Sequence, residues 1–262
     1  MNSLPQPSRE QRRPASDSPA SRSVSRPRRV AAVTGVLLVS LTGVVSAAQP
    51  AAAATAPLKG AGTCADIDLV YRPRSAFPDT SRGRYDFRKQ ATAIETAVRC
   101  LVNAERTGLK PVKKYISLGK AGAPTLGTAA ARHVADAVRL RWWGKVEPGK
   151  NCRPVQGNPG QCDPHVNPQT GSTPKSRAQA VGYGRRCASF AVGENTYAGW
   201  GASSVTPRAA VTWWMNSKPH RATILNPAYT ELYTKVAWGS ADPAAGSITP
   251  ALTYVQLFGR CG

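Results

Sequence analysis

The chain predicts a mixed α/β fold stapled by disulfides, and three observations carry that prediction. Apolar residues recur at three- and four-residue spacing in several stretches, the signature of amphipathic helices. Short runs rich in Val, Tyr, Trp, Phe and Leu lie in the second half and read as strands. All six cysteines follow an N-terminal export-like segment, and an even count in an exported chain implies pairing.

Residues 1–54 read as a secretory signal region. A Ser-, Pro- and Arg-rich start ends in Arg26-Pro27-Arg28-Arg29, an uncharged apolar run follows from Val30 to Ala47, and cleavage options stand after Ala48 or Ala54. Eighteen residues is borderline for spanning a bilayer, and Gly, Ser and Thr dilute the run, so cleavage and the absence of a membrane anchor are expected. The Arg28-Arg29 pair lacks the strongly hydrophobic positions of a twin-arginine signal. Of 35 Lys and Arg and 14 Asp and Glu, seven arginines and two acids fall in this segment, leaving 28 against 12, formally +16. Such a charge favours anionic surroundings such as cell-wall polymers, acidic head groups or acidic glycans, and it also keeps an exported protein soluble. The cations Arg72, Arg74, Arg82, Arg84, Lys110, Lys113, Lys114, Lys120, Arg185 and Arg186 are scattered, without a dense run or an RNA-binding signature, so no specific nucleic-acid partner is indicated.

Residues 55–85 read as an irregular N-terminal arm, and residues 86–262 as one domain. A first helix is expected from Phe87 to Thr107, with Ile94, Val98, Leu101, Val102 and Glu105 on one face and Gly108 as C-cap. A second spans Leu126–Trp143, its buried stripe made of Ala130, Val134, Ala137 and Val138, with His133 packed inside as a structural residue. The loop Gly144–Thr173 is too long for a plain connection, which makes it functional or pinned by a disulfide. A helix over Lys175–Val181 leads to a strand at Ser189–Val192 and a small acidic turn, Gly193-Glu194-Asn195. Thr206 then caps a helix opened by Pro207, with Ala210, Trp213, Trp214 and Ser217 on one face. Pro219 opens a short helix to Leu225, stopped by Asn226-Pro227, and strands follow at Tyr233–Trp238 and Leu252–Gly259.

Six cysteines allow fifteen pairings. Cys152 and Cys162 flank a Pro- and Gly-rich loop and can close it locally. Cys187 precedes one strand and Cys261 follows another, so they can pair across a sheet, which leaves Cys64 to pin the arm to Cys100. A metal site from Cys152, Cys162 and His165 is the rival, disfavoured because free thiols rarely persist outside the cell.

The order Gly193-Glu194-Asn195, Trp214-Met215-Asn216-Ser217, His220-Arg221-Ala222-Thr223-Ile224-Leu225 and Tyr229-Thr230 resembles the bacterial branch of the CAP superfamily. That secreted fold is shared by cysteine-rich secretory proteins, plant pathogenesis-related proteins and insect venom antigens. Cys100–Arg106, Gly108–Pro111 and Tyr254–Phe258 extend the resemblance from about Ala91 to the C-terminus. Leu232–Gly239 stands where the family usually has a Gly-Val-Gly strand. The resemblance implies a three-layer α/β/α sandwich with a central antiparallel sheet. It also implies a cleft lined by two histidines and one or two acids: His165, Glu194 and His220, with Glu231 as a second acid. The order His165, Gly171-Ser172-Thr173-Pro174, Arg177, Gly182-Tyr183 is again similar to that branch.

Two imidazoles and a carboxylate suit Zn²⁺ with water in the open position, so His165, His220 and Glu194 are the metal candidates. Without metal, Glu194 is a base and a histidine a proton donor. The alternative is purely structural: Glu194 bonds its own turn and His220 locks the helix corner. Trp200, between Gly199 and Gly201, is the candidate exposed platform for sugar or lipid, while Trp142, Trp143, Trp213 and Trp214 are expected in the core and cleft walls. Three functions follow. The first is an extracellular protein binding a small ligand or lipid in a metal-capable cleft; the second is a secreted zinc-dependent hydrolase. The third is a basic cell-wall-associated protein whose cleft is idle.

Overall fold

The computed structural model describes residues 57–107 and 123–262. The export segment, Gly108 and the Gly108–Pro111 motif lie outside the described residues. Helix α1, Ser81–Arg106, starts where the Thr80 hydroxyl accepts the Gly83 N–H, and it buries Ile94, Ala97, Val98, Leu101 and Val102. Helix α2, Ala123–Leu140, stops where Arg141 takes φ 51°, a left-handed conformation that ends an α-helix. A short hairpin, β1 (Pro154–Val155) and β2 (Asn158–Cys162), stands in the long loop, and helix α3 runs Pro174–Ala180. Strand β3, Phe190–Trp200, precedes helix α4, Pro207–Asn216, and helix α5, Lys218–Leu225. Strands β4, Glu231–Trp238, and β5, Ala251–Cys261, complete the chain.

The main sheet is antiparallel in the order β3-β5-β4, so β5 is central and buried along most of its length. Cross-strand partners share a face, and the register therefore sorts the layers. Leu252, Tyr254 and Phe258 of β5 pack with Leu232 against α1, α4 and α5, in a core containing Ile94, Leu101, Val211 and Trp214. Val255 and Leu257 face the other way, against Leu126, Ala130, Val134, Trp142 and Tyr183 from α2 and the region after α3. The fold is thus the expected three-layer sandwich. Gly259 is needed for it: a Cβ there would lie 2.2 Å from the Tyr183 hydroxyl oxygen. On the outer edge of β4, the Glu95 carboxylate from α1 pairs with Lys235 Nζ at 2.7 Å, which places charge along an otherwise open strand edge.

Several boundaries differ from expectation, each for a local reason. Helix α1 begins at Ser81 rather than Phe87 because Thr80 caps it, so residues 81–85 are helical rather than arm. Gly193-Glu194-Asn195 is not a turn. It lies inside the eleven-residue strand β3, paired in unbroken register with Phe258, Leu257 and Gln256. Helix α2 ends before Trp142 and Trp143, and the hairpin in the long loop had no clear sequence signal.

The disulfides join Cys64 to Cys100, Cys152 to Cys162 and Cys187 to Cys261, the pairing expected from placement in the chain. Loop size differs sharply, 74 residues for the last and 10 for the second. Because a crosslink stabilises mainly by restricting the unfolded chain, Cys187→Ser with Cys261→Ser should cost about 3–5 kcal/mol in urea unfolding. Cys152→Ser with Cys162→Ser should cost clearly less, and equal losses would contradict the loop-size account.

Candidate functional site

Glu194 is the centre of a buried polar cluster, its side chain 1% exposed. Its parity on β3 turns it toward the α2 and α3 layer, where Arg177 Nη2 donates to Oε2 at 2.7 Å and His165 Nδ1 donates to Oε1 at 2.9 Å. Arg177 is placed by α3, whose start is fixed by a capping box between Thr173 and Ser176. Its other amino group donates to the carbonyls of His165 and Ser172, at 2.9 and 2.7 Å. One guanidinium therefore neutralises the carboxylate and fastens the loop that carries His165.

Helix α2 grips the same loop from beneath. His133 Nε2 donates to the Pro164 carbonyl at 2.9 Å, Trp142 Nε1 to the Asp163 carbonyl at 3.0 Å, and Asn167 Nδ2 to Asp136 Oδ2 at 2.9 Å. Asp163 Oδ1 accepts the His165 N–H at 2.8 Å. His133 is fully buried, edge-on to Trp142, and its Nε2 lies 3.8 Å from Glu194 Oε1. It packs on its helix as expected, but its place beneath Glu194 was missed. Nothing in its neighbours Ala130, Ala131 and Val134 points to a carboxylate 61 positions further on.

His220 arrives from the opposite layer. Asn195, the residue after Glu194, faces the α1, α4 and α5 side, and its Nδ2 donates to the His220 carbonyl and to Gln256 Oε1, each at 3.3 Å. The imidazole Nδ1 is 2.6 Å from Ser217 Oγ, and the ring lies 4.7 Å from that of Trp213. Strand β3 is an edge strand, so the two histidines approach it from its two faces, held by consecutive residues of one strand.

The same cluster tunes the ionisable groups apart. Burial opposes ionisation of Glu194, yet His133 when protonated, Arg177 and His165 hold its pKa down at about 2. His165 loses solvation, but its bond to Glu194 and the charges of Glu194 and Asp163 outweigh that loss and raise its pKa. Burial drives His133 downward. Since a carbonyl can only accept, neutral His133 carries its proton on Nε2, and its buried Nδ1 has no hydrogen-bond partner among the described residues. Burial and then the nearby charge of His165 bring His220 to about 4. Near neutrality the site therefore holds an anion bound to an easily protonated imidazole, with a neutral imidazole alongside, a division suited to one acid and one base. His165 keeps 34% of its side chain exposed, so this chemistry can meet solvent.

Two other candidates sit elsewhere. Glu231 is buried on β4, two strands away, and accepts from the Tyr183 hydroxyl at 2.6 Å; burial and this bond push the Tyr183 pKa upward. Trp200 is half-buried at the far end of β3, six residues from Glu194 and so about 20 Å along the strand. The exposed aromatic beside the histidines is Trp213, 47% exposed, which the helical pattern had assigned to core and cleft walls. The buried residues of α4 are instead Pro207, Ala210, Val211 and Trp214.

A three-ligand zinc set does not fit this arrangement. Both oxygens of Glu194 are engaged by Arg177 and His165, and His165 Nδ1 is committed to that bond. Among the described residues no group of three or more His, Cys, Asp and Glu is arranged to hold a metal ion. The Cys152 and Cys162 sulfurs are joined in a disulfide and leave His165 without thiolate partners.

No family model and no curated protein matches this chain. Two solved structures are similar to it. One is an extracellular protein containing an SCP domain from Bacillus anthracis str. Ames, at 19% identity and TM-score 0.45, covering 70% of this chain and 44% of that one. The other is an outer surface protein from Borrelia burgdorferi, at 16% identity and TM-score 0.40, covering 63% and 90% respectively. The chain spans less than half the length of the Bacillus protein. No helix among the described residues is long and apolar enough to cross a membrane.

The tuning gives signed expectations. Glu194 is depressed, so its contribution is present above the ordinary carboxylate range near 4.5 and is lost as pH falls from there toward 2. His165 is raised, so its contribution is present below about 6.5 and is lost as pH rises through the folded value. Glu194→Gln should cost about 3–5 kcal/mol at pH 7 by leaving Arg177 buried without its counter-charge, and should flatten the acid limb of stability below pH ~4.5. Denaturant unfolding across pH checks both, and in the same variant the His165 ring should titrate lower by NMR.

Proposed function

We propose that the protein is an exported, CAP-type ligand-binding protein whose working surface is the His165, His220 and Trp213 group straddling β3. The observation that carries this reading is the buried ion cluster around Glu194. A carboxylate with no exposure, neutralised by Arg177 and aimed at one nitrogen of a partly exposed histidine, fixes His165 without itself reaching a ligand. Glu194 and Arg177 are positioning residues here; His165, His220 and the exposed indole of Trp213 are the groups available for contact. His165 in its protonated form donates to an anionic or carbonyl oxygen, neutral His220 accepts, and Trp213 covers an apolar or sugar ring face. The motif order from Cys100 to Phe258, the cysteine pairing and the export-like N-terminus support an extracellular setting.

The zinc-dependent hydrolase is the second reading. A metal ion would have only the outer nitrogens of His165 and His220 as protein ligands, with Glu194 orienting His165 from behind, and when bound it would supply a more acidic water.

The test is capture of small molecules from a cell-envelope extract by the purified protein, read by mass spectrometry. The expected result is a retained lipid or glycan that is lost when Trp213→Ala and His165→Ala are combined, in protein that circular dichroism shows still folded at the assay temperature. Chelator treatment should leave retention within about twofold, since the proposed contacts are hydrogen bonds and ring packing. Equal retention by the double variant overturns the reading, and chelator-sensitive cleavage of an ester or amide probe transfers support to the hydrolase.

A further inference from the structure

The outward face of α1 carries a charge pattern that the stability of the helix does not explain. Its first turn contains no acid, yet Arg82, Arg84, Arg88 and Lys89 are all exposed within its first nine residues. Cations near a helix N-terminus oppose the helix dipole, so this arrangement weakens α1 by a few tenths of a kcal/mol for each charge. Local acids compensate little. Asp79 is shared between Arg74 and Arg84, and Asp86 stands 3.8 Å from Arg82 in the less favourable Arg-before-Asp order. Arg88 and Lys89 have no ion pair among the described residues, although Lys89 lies over the Tyr85 ring at 5.8 Å. Helical periodicity brings Arg82, Tyr85, Arg88, Lys89, Thr92, Thr96 and the half-buried Arg99 to one side, with Arg84, one turn before Arg88, at its margin. Arg82 and Arg99 are about 25 Å apart along the axis. Cations scattered in the sequence thus form a straight ridge in the fold.

We infer that this ridge docks a linear, polyhydroxylated polyanion of the kind that anionic glycopolymers provide. A row of cations along a rigid rod matches a chain with repeated anionic groups, and the intervening Thr92, Thr96 and Tyr85 offer hydroxyl groups and one ring face to the neutral spacers. Single-stranded nucleic acid fits less well, because Tyr85, 57% exposed, is the one large aromatic on this face and a row of bases needs successive stacking platforms. A bilayer fits less well too, since the face has no apolar stripe to insert. The ridge lies in the layer of α1, on the opposite side of the sheet from Arg177 and His165, and it shares no residue with the His165, His220 and Trp213 group, so its variants leave those side chains intact.

The experiment measures binding of the purified protein to immobilised poly(glycerol phosphate) as salt is varied. Arg82→Gln, Arg84→Gln, Arg88→Gln and Lys89→Gln combined should weaken binding at least about tenfold at ~50 mM salt. The log–log salt slope should fall by about three, as expected for four lost contacts. The melting temperature should stay level or rise, because the substitutions relieve the dipole, whereas loss of a structural role would lower it. A charge-matched control, Arg132→Gln, Lys145→Gln, Arg153→Gln and Arg221→Gln, alters exposed cations elsewhere and should lose less than about threefold. Equal loss in the control would reduce the effect to net charge and overturn the assignment, as would tighter binding to a single-stranded oligonucleotide or to anionic vesicles.

Discussion

A carboxylate removed from water must find compensating charge nearby, and in this protein that requirement falls on Glu194. The cost of leaving it uncompensated is several kcal/mol, comparable to the whole stability of a domain this size. Its position in the middle of a strand fixes where the compensation must come from, because β3 turns its side chain into the α2 and α3 layer. Arg177 can supply it only if α3 starts where it does, and His165 only if the loop after the hairpin folds back over α2. The contacts of His133, Asp136 and Trp142 with that loop therefore serve the carboxylate as much as they serve the loop.

Seen this way, the long connection between α2 and α3 is no ordinary loop. Between Asp163 and Thr173 its backbone is held by side chains from α2 and by Arg177, with further local turns around Asn167. That order lets a histidine with a third of its surface in solvent keep one geometry. The Cys152–Cys162 crosslink closes the neighbouring hairpin and ends next to Asp163, while the contacts that hold His165 itself are hydrogen bonds and charge.

What was legible in the sequence, and what was not, follows from the range of the forces involved. Thr206-Pro207 and the apolar periodicity of α1 are local signals, and the helices they announce are present. Thr80 gives an equally local cap, but the basic residues behind it masked the helix start, because their unfavourable place at a helix N-terminus reads as irregular chain. Gly193-Glu194-Asn195 looked like a turn because Gly, Glu and Asn are poor strand formers. Long-range pairing with β5 overrides that preference, and Gly193 is retained because a Cβ there would press on the Tyr229 ring. The approach of His165 to Glu194 was expected from motif order alone. The burial of Glu194 by Arg177 and His133 was not, since neither charge compensation nor packing beneath a site has a fixed spacing. Trp213 and Trp214 show the limit of periodicity: adjacent residues stand 100° apart on a helix, and which one points inward depends on where the sheet lies.

Arg106 repeats on the other side of the sheet what Arg177 does on the first, without any carboxylate. It is buried at the last turn of α1 and donates to the carbonyls of Ile224, Asn226 and Tyr229, at 2.6, 2.8 and 3.0 Å, where α5 ends and the chain turns toward β4. Among the described residues, the negative end of a short helix and its unpaired carbonyls are the counter-charge it receives, enough for a guanidinium whose five donors can be shared among several oxygens. Each layer thus positions its histidine through a buried arginine that binds backbone: Arg177 holds the loop of His165, and Arg106 holds the far end of the helix bearing His220. The difference between them is the carboxylate. Where Arg177 shares its charge with Glu194, the histidine is drawn into an ion pair and favours its proton; where Arg106 meets only carbonyls, burial acts on His220 unopposed and the ring stays neutral. The unlike protonation of two imidazoles beside one strand therefore follows from the ion pair with Glu194 on one face and from burial, helped by the charge of His165, on the other.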